Sequence, residues 1–284
     1  MAARLGVMQG RLSPPVHNQI QAFPVEHWRK EFPLCQELGL GCMEWIFESG
    51  TVNANPLSSD AGINEMLSLS KQYNVRISSV VADYFMVNKL FGKGKRETDI
   101  AIKMLYYLIE RCHKCGIPIL EIPFVDSSAL RTETDKHEVL ENLKMPLACA
   151  KQCGVKISLE TSLPPFEFKE FIHDFFPLDI GINYDMGNSA SLGYDAREEI
   201  NVLGEFIVNV HVKDRIKFGG TVPLGSGDTD FDTVFDALRK INYSGDFILQ
   251  AAREDLPRQK QKKQYAETVK DYISFVRPFL QEFS

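Results

Sequence analysis

Short runs in which apolar and polar residues alternate recur along this chain, and their period of two predicts β-strands. In Val155-Lys-Ile-Ser-Leu-Glu160, the residues Val155, Ile157 and Leu159 take one face, while Lys156, Ser158 and Glu160 take the other. Val208, Val210 and Val212 likewise oppose Asn209, His211 and Lys213. Apolar runs bounded by Gly, Pro and Asn give eight strands: Leu5–Gln9, Cys42–Ile46, Arg76–Ala82, Pro118–Pro123, Val155–Glu160, Asp179–Asp185, Val208–Lys213 and Asp246–Ala251. Segments with helical spacing lie between them, among them Thr98–Cys115, Lys136–Cys153 and Phe231–Ile241. Several of these end in a glycine just before the next strand (Gly39, Gly116, Gly154), where a helix C-cap favours a residue tolerant of positive φ. The amphipathic segment Gln259–Glu282 supplies a last helix that can close a ring.

Eight βα units with no linker, no other repeat and no low-complexity tract predict an α/β fold, a single (β/α)₈ TIM barrel over residues 1–284. The length fits, since such a barrel typically needs roughly 250 residues. A doubly wound sheet would need a Gly-rich loop after the first strand, and Met8-Gln-Gly-Arg-Leu12 does not supply one. The long, polar, Pro-bearing stretch Arg11–Phe23 is expected to lie over the barrel mouth, where a lid would sit.

Composition narrows the function classes. The net charge is −6 and no Lys/Arg run could neutralise a row of phosphates, which opposes a nucleic-acid surface. No apolar stretch is long enough to span a bilayer, and the amino terminus has no signal-peptide core, so a cytoplasmic protein is expected. Six cysteines in a chain of this size do not suggest a secreted disulfide scaffold. Cys112-x-x-Cys115 and Cys149-x-x-x-Cys153 have the look of zinc half-sites, yet free thiols packed beneath the barrel are the favoured reading.

Four polar residues end four of the apolar runs: Glu160, Asp185, His211 and Gln250. In parallel neighbouring strands of a closed barrel they converge at the C-terminal mouth and make a site for one divalent ion, with Mn²⁺, Zn²⁺, Co²⁺ and Mg²⁺ all compatible with mixed N/O ligands. A lone Glu or Asp after a strand is more often a cap, and a lone His more often a satisfied core group. Four such residues sharing one strand phase favour the joint reading. Lys213, two residues past His211, points the same way and is a candidate to pair with a substrate oxyanion or phosphate, or with a rim carboxylate. Gly225 and Gly227, in Leu224-Gly-Ser-Gly-Asp228, and Arg253 are candidate anion binders. Glu44, Asp83 and Glu121, taken to end strands two to four and line the cavity, and Asn188 are candidates for substrate hydroxyls, with rim salt bridges or a helix cap as the alternative.

The chain resembles the xylose isomerase-like barrel family of sugar-phosphate isomerases and epimerases. The resemblance runs from Val7-Met-Gln-Gly-Arg-Leu-Ser-Pro14 to the last strand. It is most specific in Tyr184-Asp-Met-Gly-Asn188, Val210-His-Val-Lys-Asp-Arg215 and Val222-Pro-Leu-Gly-Ser-Gly-Asp-Thr-Asp-Phe231. It implies one divalent metal held at Glu160, Asp185 and His211, with a second Glu on strand eight. This sequence has Gln250 where that Glu would stand. The implied activity is isomerisation or epimerisation of a sugar or sugar phosphate through an enediolate, with Glu160 as ligand and base. An amide has no basic lone pair at neutral pH, so Gln250 can ligate or donate but cannot abstract a proton. Two anionic ligands in place of three leave the ion more weakly bound and more Lewis acidic. Glu254, just beyond strand eight, is the alternative second base. The competing functions are a metal- or sugar-binding barrel without catalysis and an abasic-site endonuclease. The second is opposed by the acidic charge and by His211 being the one histidine of six at an expected strand end. Exposed loops of such barrels often pair, so a homo-oligomer is compatible with this fold.

Overall fold

The computed structural model describes residues 5–16, 19–253 and 261–283, with the backbone alone for 261–264. Eight parallel strands close into a barrel. We number them β1 (Leu5–Met8), β2 (Cys42–Ile46), β3 (Arg76–Val81), β4 (Ile119–Phe124), β5 (Lys156–Thr161), β6 (Ile180–Asp185), β7 (Ile207–Val212) and β8 (Asp246–Leu249). Each pairs with its sequence neighbours, and β8 pairs with β1 to complete the ring.

The alternation read from the sequence sorts side chains as a barrel wall requires. Ile157, Leu159, Val210 and Val212 turn outward beneath the helices and are fully buried there. Ser158, Glu160, Asn209 and His211 occupy the opposite phase, toward the barrel interior. Helices Asp60–Tyr73, Lys95–Cys115, Glu133–Gln152 and Phe231–Lys240 are among those that cover the outside. Gly39, Gly116 and Gly154 take positive φ after their helices, as expected of C-terminal caps. Near β1 and β2, Trp28 packs edge to face on Phe32 and Trp45, and Phe32 lies tilted against Trp45, with ring centroids 5.6–6.4 Å apart. Each such buried aromatic contributes roughly 1.5–3 kcal/mol or more.

Two departures from expectation bear on the site. β8 ends at Leu249, two residues before Ala251, so Gln250 and Ala251 lie just past the strand. Gln250 N still donates to Val212 O of β7 at 3.1 Å, and Arg11 Nε takes the Ala251 carbonyl at 3.0 Å. Glu44 is the third of the five residues of β2 and is fully buried, so it lies within the strand and below the rim. The described parts of 11–23 hold no helix or strand, and a short antiparallel ribbon (Asp214–Arg215 with Thr221–Val222) follows β7. Glu254 lies outside the described residues.

Candidate metal and active site

Strand register decides which polar side chains meet. Asp185 of β6 is aligned with His211 of β7, and Asn183 with Asn209 one inward-facing step deeper. Glu160 is aligned with Pro123 of β4, and Glu121 with Ser158. The result is two polar layers. The upper one brings Glu160, Asp185 and His211 together, with one ligand atom from each within 4.8 Å of the others. His211 Nδ1 lies 3.7 Å from Glu160 Oε2. The lower layer places Glu44 and Glu121 on the other side of the imidazole, with Nε2 at 2.7 Å from Glu44 Oε2 and 3.4 Å from Glu121 Oε2.

Amides hold the carboxylates in place. Asn183 Nδ2 donates to Glu160 Oε2 at 3.0 Å, and Asn188 Nδ2 donates to Glu160 Oε1. Arg215 Nη1 donates to Asn188 Oδ1 at 2.7 Å, which turns that amide's hydrogens toward Glu160. Asp185 caps the following helical turn by accepting from Asn188 N at 2.8 Å. Its other oxygen accepts from Lys213 Nζ at 3.1 Å. Gly187 makes this close fit feasible, because a Cβ there would lie 2.7 Å from Lys213 Cγ.

Gln250 faces the same space, but its Oε1 accepts from Lys213 Nζ at 3.0 Å, so the ammonium stands between Gln250 and Asp185. Its Nε2 donates to Gln21 Oε1 at 3.1 Å, and Gln21 Nε2 reaches Asp83 Oδ2 at 2.7 Å. One side chain of the loop after β1 thus ties the ends of β8 and β3. The cavity beneath it has a volume of about 580 Å³, and its lining includes Glu48, Asp83, Glu121, Glu160, Lys213 and Gln250.

The electrostatics of this cavity call for a cation. Burial, then Asp185, raise the Glu160 carboxyl above its ordinary value, against the pull of His211 and Lys213. Burial, then Glu44 and Glu160, push Glu121 well above the carboxylate range. Asp83 is pushed up to about 7 by burial, with Glu48, Glu160 and Glu44 adding to the shift. Burial alone would lower His211, but Glu44, Glu160 and Asp185 outweigh it and the ring is raised. Both Glu121 oxygens are buried and have no hydrogen-bond partner among the described residues. Uncompensated buried carboxylates are costly. A divalent cation would relieve that cost, and two carboxylates with an imidazole are donors that suit one. The residues therefore fit the metal the resemblance implies.

Other candidates sit elsewhere or are otherwise engaged. Glu44 is enclosed below His211 and accepts from Ser79 Oγ and Asn209 Nδ2, at 2.7 and 2.9 Å, so it does not face a substrate. The amides of Gly225 and Gly227 donate to Asp214 Oδ2 at 2.9 and 2.8 Å, and this buried carboxylate uses the donors expected to meet an anion. Arg253 donates to the carbonyls of Ile20 and Ser13, both at 3.1 Å, and so anchors the loop after β1. Asn188 reaches Glu160, while Asp83 and Glu121 line the cavity. The cysteines are free thiols, as favoured from the sequence. The sequence reading missed Gln21, Asn183, Asn209 and Arg215. Asn183 and Asn209 had a signal, since each stands two residues before a candidate ligand and in its strand phase.

A closed parallel barrel with carboxylates and an imidazole gathered at its C-terminal mouth defines a class of barrel with a metal-type site. Within that class, a family model described as "Xylose isomerase-like TIM barrel" matches residues 32–273, and the chain belongs to this family. The Escherichia coli (strain K12) protein named "Putative L-ribulose-5-phosphate 3-epimerase SgbU" is 33% identical over 73 residues, which cover 23% of this chain and 26% of that relative. The chain thus matches about a quarter of the curated relative's length. A solved D-psicose 3-epimerase in the presence of D-fructose superposes with a TM-score of 0.79 at 14% identity, covering 98% of this chain and 99% of that one. An IOLI protein with a binding zinc atom gives 0.76 at 17% identity, covering 99% of each chain. At these identities the structural likeness establishes the fold.

Proposed function

We propose that this chain is a divalent-metal-dependent isomerase or epimerase of a sugar or sugar phosphate, with Glu160 as the proton-transferring base. The observation that carries this reading is the convergence of Glu160, Asp185 and His211 on one carboxylate-rich cavity. Relatives named as sugar epimerases, one by sequence and one by fold, support it. The cavity's size is within the range of small-molecule sites.

Glu160, Asp185 and His211 would hold one divalent ion, with Gln250 or water completing the set. When bound, such an ion supplies Lewis-acid polarisation of a substrate carbonyl. The Glu160 carboxylate removes the proton from the carbon next to that carbonyl. The C–H electron pair forms the carbon–carbon double bond, and the carbonyl π pair moves onto oxygen. Returning the proton to the former carbonyl carbon, while the hydroxyl proton of the first carbon passes to the oxygen that took the carbonyl pair, gives the isomer. Asn183 and Asn188 hold Glu160 so that little reorganisation accompanies the transfer. Lys213 lines the cavity while held by Asp185 and Gln250, and its remaining N–H serves to stabilise negative charge on a substrate oxygen. Asp83, Glu121 and Asn188 are the partners for substrate hydroxyls. The same reading puts the protein in the cytoplasm, where its thiols stay reduced.

A second reading, a barrel that binds metal and sugar without turnover, is favoured by one observation: position 250 is an amide tied to Lys213. Proton exchange separates the two. Metal-loaded protein incubated with neutral ketoses and their phosphates in D₂O should wash deuterium into the carbon beside the carbonyl. No incorporation with any tested sugar, from protein shown to hold its metal, would favour the binding barrel.

A further inference from the structure

We infer that Glu44 is a positioning residue that sets the tautomer of His211, keeping the ring hydrogen on Nε2 and the Nδ1 lone pair turned toward Glu160 and Asp185. The inference extends the proposed metal site, because a neutral imidazole offers a metal only the nitrogen that lacks hydrogen. Hydrogen bonds within the chain set this tautomer before any metal binds.

Two routes lead from Glu44 to the two nitrogens of the same ring. The direct one is the contact of 2.7 Å between His211 Nε2 and Glu44 Oε2. Ser79 Oγ and Asn209 Nδ2 also donate to this carboxylate, at 2.7 and 2.9 Å, so Glu44 is surrounded by donors and acts as acceptor. The facing nitrogen must therefore carry hydrogen.

The indirect route runs through two amides. Because Glu44 accepts, Asn209 must turn its Nδ2 toward it, and the second hydrogen of that amide goes to Asn183 Oδ1 at 3.0 Å. Asn183, with its oxygen so engaged, presents Nδ2 to Glu160 Oε2 at 3.0 Å and to His211 Nδ1 at 3.1 Å. A donor facing Nδ1 requires a lone pair there. Reversing the tautomer would set a lone pair against Glu44 and oppose two N–H groups across the Asn183 contact. A doubly protonated ring would keep the second clash. Asn183, Asn209, Glu44 and His211 are all at most 2% exposed, so water cannot readily rescue either arrangement.

The test is histidine-selective ¹⁵N NMR on metal-free protein at pH 8, with the His211 signals assigned by their loss in His211→Gln. The expected result is a neutral ring with hydrogen on Nε2. A wild-type ring with hydrogen on Nδ1, or on both nitrogens, would overturn the inference without need of any further variant. In Glu44→Gln the ¹⁵N pattern should change to a mixture or to the other tautomer, and Mn²⁺ affinity measured by electron paramagnetic resonance should fall about 10–100-fold. Ser79→Ala removes another contact of Glu44 and serves as the packing control, with the wild-type tautomer retained. An unchanged tautomer in a folded Glu44→Gln protein would contradict the proposal. Wild-type protein that shows the expected tautomer yet binds no Mn²⁺ would sink the metal reading and leave this inference standing.

Discussion

Two arcs of the barrel mouth are equally polar and differently resolved. Along β5 to β7, Glu160, Asp185 and His211 gather near further carboxylates, and both Glu121 oxygens lack a partner among the described residues. Along β8 and β1, the polar groups that hold the loop satisfy one another, although the buried Gln9 Nε2 has no partner among the described residues. Arg253 takes the carbonyls of Ile20 and Ser13, and Glu31 accepts from Gly10 N at 3.0 Å and Ser13 Oγ at 2.8 Å. Gln21 spans Gln250 and Asp83. The first arc carries negative charge that a ligand must complete, whereas the second is a self-contained clamp on a loop. Similar residue types therefore serve chemistry in one place and loop anchoring in the other, and the balance of donors to acceptors tells them apart.

The largest effect that can break this contrast is at Glu160. Glu160→Gln should lower proton exchange about 10²–10⁴-fold while leaving the fold intact, read by deuterium incorporation. A variant that exchanges at wild-type rate would move the base elsewhere in the cavity.

Next is a pH effect on the clamp. Burial, opposed by the hydrogen bonds from Gly10 and Ser13, pushes the Glu31 carboxyl up to about 7. A carboxyl whose folded value exceeds its unfolded one takes up a proton on folding between those two values. Stability is therefore lost as pH rises from about 4.5 through about 7, by roughly 3 kcal/mol for this group. Chemical denaturation at pH 5 and pH 8 should show a smaller difference in Glu31→Gln than in wild type. An equal difference in both proteins would remove Glu31 from this role.

Gln250→Glu tests the boundary between the arcs. It adds an anion beside Lys213 and the proposed metal, and Mn²⁺ should bind at least about tenfold more tightly. Weaker binding would show that the Gln250–Lys213 contact is a required part of the site. The smallest effect is expected from Gln21→Ala. It should leave metal content unchanged, cost about 1 kcal/mol of stability, and increase protease cleavage in the loop after β1. Metal loss in this variant would merge the two arcs into one unit.

How much of this was legible follows from what each feature depends on. Strands were legible because a barrel wall sorts residues with period two, so Cys42–Ile46 is matched residue for residue and β5 is displaced by one. Glu160, Asp185 and His211 could be grouped because they share that phase at strand ends. Partner choice was not legible. By sequence Arg253 reads as an anion binder, but in the fold it donates to loop carbonyls, and the glycines of Leu224–Asp228 give their amides to Asp214. Glu44 was expected at a strand end, and one step down the strand changes its neighbour from a substrate to His211. Such pairings join residues far apart in the chain, and no local pattern encodes them.

The central claim is that Glu160, Asp185 and His211 form one metal centre and that the loop clamp around Arg253 takes no part in holding the ion. Equilibrium dialysis of metal-free protein against Mn²⁺, with metal counted per chain, tests it directly. The account predicts one ion per chain in wild type and in Arg253→Met, and loss of that ion in Asp185→Ala and His211→Ala, with all the variants folded by circular dichroism. Full occupancy in Asp185→Ala and His211→Ala would contradict it.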